Sequence, residues 1–521
     1  MNAHVGQSSE DLELSSSRSN SLKQRVALVV PNFRWANWDD LTLWHFIPYN
    51  LCLLASMVRN ECEVVILDAN KSNMSGDELL YELEKFDPDV VGTTVLMDQF
   101  ASSGHKVMAL AKQISPKIKT VLGGVYPTVH PDQATQDKNV DYVVIGEGEF
   151  VFKELLAYFR NESSLPSSGI AYNDSTGKYI SRGRYPTIQN LDSLPLPAYD
   201  LIDFDTYSND APRKSVDTPP AFPFARLITS RGCPYACSFC QVGVISGHPF
   251  RPRTAENVLN EIAWLKEKFG IKSLIFDDDN LYTHKKRSLE LFQGMVSRNL
   301  ITPWKSIATA VFRLDEQIVD AMKESGCVYL DVAIETGVER VQREIVRKPI
   351  VYPHAKRIIN YIRQKGIFVA CNFILGFPTE TWDEIRATIR FAEELDVDYC
   401  KFFLLMPLRD TEVWNMMQKE KGLKKDNFSV QSLNWNQGQT QSKHYTENDL
   451  TILRAYEWDR VNFSDPKKRA RTSEIMGITL EKLDEIRRKT LNEAVAFLQS
   501  NLESKTYSET YPHNKRNNLN C

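Results

Sequence analysis

"TSRGCPYACSFCQVG", residues Thr229–Gly243, holds three cysteines, Cys233, Cys237 and Cys240, spaced C-x3-C-x2-C. Structural zinc usually takes four ligands, often as two separated pairs, and no fourth Cys or His stands at suitable spacing here. "CSFC" on its own reads as a thioredoxin-like pair, which leaves Cys233 unexplained. A [4Fe-4S] cluster accounts for the number, because clusters are held by thiolates. With three thiolates, one iron has no protein ligand and can bind a substrate or cofactor. Cys327, Cys371 and Cys400 each stand alone in an apolar stretch and read as small buried hydrophobes.

Downstream of this loop, strands and helices alternate. "SLIFDDDN" from Ser273, "KSIATAVF" from Lys305, "YLDVAIETG" from Tyr329, "FVACNFILGFP" from Phe368 and "YCKFFLLMP" from Tyr399 read as strands. With the strand before the cysteines they make six βα units, a partial barrel. Polar groups gather at the strand ends: Asp277 to Asn280, Arg313, Glu335 to Gly337 and Gly376 to Glu380.

Upstream lie five more apolar strands, "VALVV" from Val26, "EVVILDA" from Glu63, "DVVGTTV" from Asp89, "IKTVLGG" from Ile118 and "DYVVIGEGE" from Asp141. Helical patterns separate them. The alternation predicts a parallel sheet with helices on both faces, binding ligand beyond the carboxyl ends of its strands. Gly123, Gly124, Gly146 and Gly148 stand at those ends, where they admit a bulky ligand or merely make tight turns. No G-x-G-x-x-G follows the first strand, which argues against a nicotinamide enzyme.

The chain has 521 residues, 42% hydrophobic and 25% charged, too long for one ordinary core. A net charge of -4 gives no sign of a nucleic-acid partner. No apolar run approaches the roughly 20 residues that span a bilayer. Residues 1–24 read as a disordered polar tail without a signal core, and nine cysteines without a leader point to the cytoplasm. The expected divisions are a parallel-sheet domain over 25–162, an irregular linker over 163–224, a barrel over 225–428 and a helical region over 429–521. Within the last, "PKKRAR" (Pro466–Arg471) reads as a solvated loop.

The cysteine spacing, with "TSRG" before it and Phe239 before the last cysteine, resembles the radical S-adenosylmethionine superfamily. The strand order, "GG" after the fourth strand and "GEGE" after the fifth resemble the cobalamin-binding domain that precedes such barrels in the cobalamin-dependent radical S-adenosylmethionine enzymes. That resemblance runs from about Arg25 to Lys421. It implies a Rossmann-like parallel-sheet cobalamin domain, a partial (β/α)6 TIM-type barrel and a helical C-terminal region. The cofactors it implies are a [4Fe-4S] cluster on Cys233, Cys237 and Cys240, S-adenosylmethionine, and cobalamin.

It further implies cobalamin contacts at Gly123, Gly124, Gly146, Glu147 and Gly148. It places Phe239 beside the adenine, Asp278, Asp279 and Glu335 against the cofactor's amine and ribose, and Gly376 in the adenine-supporting segment. Asp277 is expected to cap the next helix, and Arg313 either to join the site or to pair with Asp315. "RKPI" at Arg347 receives no role, and no catalytic residue is assigned. The loop "LMDQFASSGHK" lacks the D-x-H-x-x-G of cobalamin domains that ligate cobalt through histidine. Cobalamin is therefore expected without a histidine below it, with His105 a surface or helix-capping residue.

The activity implied is methylation of an unactivated carbon of a small molecule, fed by an external electron donor such as flavodoxin or ferredoxin. The competing readings are a non-methylating radical enzyme, such as an oxidative cyclase or ring-contraction enzyme, and a cobalamin or iron-sulfur sensor. The intact cysteine triad and the polar strand ends disfavour the sensor.

Overall fold

The computed structural model of the chain describes residues 23–36, 47–209, 215–420 and 436–510. Nearly all of the expected 1–24 tail, and the expected boundary at 428/429, lie outside the described residues.

All five upstream strands form: β1 (Gln24–Val30), β2 (Cys62–Asp68), β3 (Val90–Val95), β4 (Lys119–Gly124) and β5 (Tyr142–Val144). They pair in parallel in the order β2-β1-β3-β4-β5. Val26 and Leu28 of β1 pack on one face with Leu51 and Ala55 of helix Tyr49–Val58 and Phe152 of helix Glu149–Phe159. Ala27 and Val29 pack on the other with Leu83 and Val107, from helices Gly76–Phe86 and Ala101–Ile114. Alternate side chains of a strand point to opposite faces. Burial on both sides thus makes these strands read as continuous apolar runs.

The linker is less irregular than its Pro and Asp density predicts. β6 (Ile170–Asn173) and β7 (Tyr179–Ser181) form an antiparallel hairpin that extends the first sheet beyond β5. Its turn is closed by Asp174, whose Oδ1 accepts from the backbone N–H groups of Thr176 (2.8 Å) and Lys178 (3.1 Å).

The second sheet runs β8 (Phe224–Leu227), β11 (Ser273–Phe276), β12 (Trp304–Thr309), β13 (Cys327–Glu335), β14 (Phe368–Leu375) and β15 (Tyr399–Leu404). Each strand pairs in parallel with the next, an open six-stranded barrel wall. Two short strands, β9 (Ser230–Arg231) and β10 (Arg251–Pro252), clip the ends of the cysteine loop together. The linker also reaches into the wall. Lys305 Nζ donates to the Val216 carbonyl at 2.9 Å, and Lys401 Nζ to Asp217 Oδ1 at 2.6 Å.

The helix Glu447–Phe463 covers the free edge of β15, where Asn462 accepts from Cys400 N (2.7 Å) and donates to Cys400 O (2.8 Å). That is a usual way to protect an exposed strand edge. "PKKRAR" is not a loop but opens the helix Pro466–Met476. Arg471 pairs there with Asp398 at 2.8 Å, and Lys468 with Asp396 at 2.9 Å. Cys327, Cys371 and Cys400 are buried on the barrel strands, as expected. No helix among the described residues is long and apolar enough to cross a membrane.

Candidate functional site

The cysteine loop leaves the end of β8 and is held from several sides. Beneath it, Asp278 is 2% exposed, and its Oδ1 accepts from Thr229 N (3.1 Å), from Thr229 Oγ1 (2.8 Å) and from the Ser230 hydroxyl. The buried Arg287 donates to the Thr229 carbonyl at 3.0 Å. Burial raises the Asp278 carboxyl, against the attraction of Arg287. Asp279 accepts from Gly232 N at 3.1 Å. Gly232 has φ +80°, and a Cβ there would lie 2.4 Å from the Pro249 carbonyl, so only glycine fits. On the barrel side, Ser238 N donates to Val346 O at 3.2 Å, and Val413 N to Ser238 O at 3.0 Å.

Within this frame the three thiols are neighbours in charge. Burial pushes Cys237 up to about 12 and Cys240 to about 11, and the charge of Cys233 raises both further. Lys348 opposes the rise at both. Lys348 Nζ also lies 2.7 Å from Glu335 Oε1, so this lysine, in the segment given no role from sequence, joins the cysteines to Glu335. Among the described residues, no three His, Cys, Asp or Glu side chains converge on one metal ion. A cluster does not require that, since each thiolate takes its own iron. Three desolvated thiols on one loop, offset by a lysine, fit a cluster and not a mononuclear site.

Phe239 packs edge-on against Phe377, with ring centres 6.0 Å apart, and Gly376 adjoins that ring. The C-terminal region closes over this segment. Tyr445 OH donates to the carbonyls of Gly376 (2.9 Å) and Phe377 (2.8 Å), and Thr440 Oγ1 donates to Gly376 O at 3.2 Å. Glu380, fully buried, accepts from the N–H groups of Gly376 (2.8 Å) and Phe377 (3.0 Å). Burial pushes its carboxyl up to about 8.

A raised carboxyl favours the folded chain while it is protonated, so its stabilisation is complete at low pH and fades as pH rises toward 8. Glu380→Gln keeps the acceptor and removes the titration. The unfolding free energy of the variant should therefore gain on the parent by about 1.4 kcal/mol per pH unit between pH 5 and 8. Urea unfolding at several pH values reads this directly, and parallel curves would refute it.

A cavity of about 310 Å³ lies between the two sheets. One wall comes from the carboxyl ends of β3, β4 and β5, with Thr93, Gly123, Gly124, Gly146 and Gly148. The other comes from the barrel, with Ser230, Arg231, Asp277 and Asp279. Asp279 is open to this space, yet desolvation pushes its carboxyl up to about 6. A Cβ at Gly123 would meet nothing nearer than 3.8 Å, and one at Gly148 nothing nearer than 3.6 Å. Neither has positive φ, so neither packing nor backbone requires glycine there. A bulky ligand over them does, and the cavity fits cobalamin on that ground.

Gly123→Val should leave the folded chain as stable as before, because valine suits a strand better than glycine, while cobalamin uptake falls at least tenfold. Equilibrium loading followed by absorbance checks both halves. His105→Ala should leave the absorbance of bound cobalamin unchanged, because no histidine lines the cavity among the described residues.

The "GEGE" carboxylates are engaged by arginines across the interface. Glu147 accepts from Arg251 at 2.8 and 3.0 Å and from Ile188 N at 2.7 Å. Glu149 accepts from Arg231 at 2.5 Å, and Arg231 also lies 3.3 Å from Glu147. This clamp joins the edge of the cavity to the residue two before Cys233.

Two expectations need correction, at Asp277 and His105, and of the two places expected for Arg313 the pairing with Asp315 is not taken. Asp277 caps no helix: it is ion-paired with Arg226, 2.7 Å between Nη2 and Oδ1, and the next helix starts at Lys285 behind His284. Arg313 leaves Asp315 to Lys285 and donates to the Thr283 carbonyl at 2.7 Å. His105 caps no helix and is not free at the surface: its half-buried ring is held by Asp137 at 2.9 Å and by Tyr126 OH at 3.2 Å.

Fold and site define a two-part α/β protein, in which a glycine-edged sheet and a three-cysteine barrel face one space. Residues 227–392 match the model of the radical SAM superfamily, and residues 45–156 match that of the B12 binding domain. The chain is 32% identical to an uncharacterised methyltransferase, PH0819, of Pyrococcus horikoshii, over 78% of this chain and 85% of that protein. It is 30% identical to the cytidylyl-2-hydroxyethylphosphonate methyltransferase of Streptomyces wedmorensis, over 65% of this chain and 68% of that one. The solved TsrM of Kitasatospora setae, with cobalamin and a [4Fe-4S] cluster bound, shares the fold at a TM-score of 0.66 and 18% identity, over 91% of this chain and all of that one. The chain belongs to the cobalamin-dependent radical S-adenosylmethionine enzymes.

Proposed function

We propose that the protein methylates an unactivated carbon of a small-molecule substrate. The observation that carries this reading is the shared cavity, which puts the cobalamin-domain strand ends and the barrel's Asp279 on opposite walls of one space. Its relatives at 30% and 32% identity, both named methyltransferases, support it.

Cys233, Cys237 and Cys240 would hold the cluster. Phe239, Asp279, Glu335 and Gly376 would hold S-adenosylmethionine, and Gly123, Gly124, Gly146 and Gly148 would lie under cobalamin. When bound, these groups supply one-electron cleavage of S-adenosylmethionine and a transferable methyl group. The chain's own residues supply position and dryness. Asp278 acts from beneath, through Thr229 and Ser230, since its carboxylate is covered by the loop it holds. Glu147 serves through its arginines. Tyr445 and Thr440 keep water from the Gly376 turn. Lys348 offsets the negative charge gathered at the thiolates and Glu335.

The test is the fate of an isotopically labelled methyl group of S-adenosylmethionine in reductant-treated enzyme mixed with cell extract. A product heavier by one methylene, with 5'-deoxyadenosine and S-adenosylhomocysteine in comparable amounts, is expected. 5'-Deoxyadenosine with an oxidised or rearranged product and no label in it would replace methylation by the cyclase-type reading. The anaerobic magnesium-protoporphyrin IX monomethyl ester cyclase of Rubrivivax gelatinosus, 25% identical over 74% of this chain and 68% of that protein, makes that reading the alternative.

A further inference from the structure

The carboxyl ends of β4 and β5 meet the barrel at two separate places. Glu147 and Glu149 hold the β5 side through their arginines. On the β4 side Arg409 reaches across from the turn that follows β15. Its Nη1 donates to His130 Nδ1 at 3.0 Å and to Asp132 Oδ1 at 3.1 Å. Its own carbonyl accepts from Gln241 Nε2 at 2.9 Å, and Gln241 directly follows Cys240.

A guanidinium only donates. His130 Nδ1 therefore carries no proton, and Nε2 donates to Asp98 Oδ2 at 3.2 Å. His130 is 1% exposed and Asp98 6%, and among the described residues Asp98 Oδ1 has no partner. The imidazole is thus fixed at both nitrogens, and its face stacks on Tyr126 with ring centres 5.7 Å apart. The residues around it carry the cavity wall. The helix Val125–Val129 has Gly124 as its N-cap and His130 as its C-cap. Thr128 on that helix donates to the Gly124 carbonyl at 2.7 Å and accepts from Gly146 N at 3.0 Å. Asp98 opens the turn after β3, whose Thr93 and Thr94 line the same cavity.

One arginine is therefore bonded through its backbone to the cluster loop and through its side chain to the segment that begins at Gly124. A misplacement of about 1 Å between reacting groups can cost about a hundredfold in rate. We propose that Arg409 is a positioning residue that sets the register between the cobalamin edge and the cluster loop. Its pair with the half-exposed Asp132 supplies little by itself. The buried acceptor on His130 gives the contact its direction. The inference rests on the two cofactor sites and not on methyl transfer.

Arg409→Met keeps the stem and removes the donors. The Arg409 side chain is 31% exposed and that of Asp132 47%, so no buried charge is orphaned and the urea midpoint should hardly move. Arg409→Lys keeps a donor for Nδ1. Parent and variants are loaded with cobalamin and cluster, without substrate. Electron paramagnetic resonance then reads the power saturation of the cob(II)alamin signal, first with the cluster oxidised and diamagnetic, then with it reduced and paramagnetic. A nearby spin speeds the relaxation of the cobalt, and the effect falls steeply with separation.

In the parent, reducing the cluster should make the cobalt signal harder to saturate. Arg409→Met should lose most of that effect, and Arg409→Lys should recover most of it. Cobalamin affinity, iron and sulfide content, and 5'-deoxyadenosine formation should stay at the parent's values in both. Parent-like saturation in Arg409→Met would overturn the proposal, as would equal losses in the two variants or a parent signal indifferent to the cluster. A fall in cobalamin affinity or cluster content in Arg409→Met would overturn it too, because Arg409 would then support one site and not the register between them. No methylated product is measured, so each of these failures leaves the methyltransferase reading untouched.

Discussion

Replacing Cys233, Cys237 and Cys240 together by alanine should abolish the iron–sulfur cluster. After anaerobic reconstitution the triple variant should hold no iron or acid-labile sulfide above background and give no cluster signal by Mössbauer spectroscopy, and 5'-deoxyadenosine formation should cease. Cys327→Ala, Cys371→Ala and Cys400→Ala should each retain a full cluster. Their thiols are buried one to a strand on β13, β14 and β15, in the packed barrel wall and not on the cysteine loop. A triple variant that kept its cluster would refute the assignment.

The second large effect is expected at Arg231. Glu149 is 6% exposed, and its Oε2 has no partner, so Arg231 is what makes its burial tolerable. Arg231→Ala leaves that carboxylate buried and unpaired, at a cost of roughly 3–5 kcal/mol. The unfolding midpoint in urea should drop accordingly. Arg231→Met combined with Glu149→Leu removes both charges and should recover most of the loss, since buried ion pairs can often be replaced by apolar packing at little cost. Glu147 stays paired with Arg251 in that variant. A single substitution as destabilising as the double one would show that lost packing, and not the orphaned charge, is responsible.

The sequence made the strands legible because both sheets are buried on two faces. β3 reads "VVGTTV" and is buried throughout, and such a run is hard to mistake once helical patterns flank it. The cysteine loop was equally readable, because its three ligands are local in sequence. What sequence reading missed are partners brought together by folding. Lys348 meets Glu335 only after the turn beyond β13. Arg231 and Glu149 lie 82 positions apart. Asp277 looked like a helix cap because strand-end aspartates often are, and nothing local announced that Arg226, 51 positions earlier, would take its charge. The hairpin β6–β7 was hidden by short strands of mixed polarity at a sheet edge, where only one face needs to be apolar.

The linker turn that reaches into the barrel bears on how the protein can be divided. Lys401, with its side chain 13% exposed, has Asp217 and Asp331 as its two anionic partners, and the fully buried Lys305 leans on the Val216 carbonyl. A fragment begun at residue 225 would lose Val216 and Asp217, leaving the buried Lys305 amine without its carbonyl partner and halving the counter-charge of Lys401. The barrel is thus not a module that can be excised at its first strand. Its inheritance is tied to the segment leading out of the cobalamin domain, and a swap of either domain between relatives must carry that segment with the barrel.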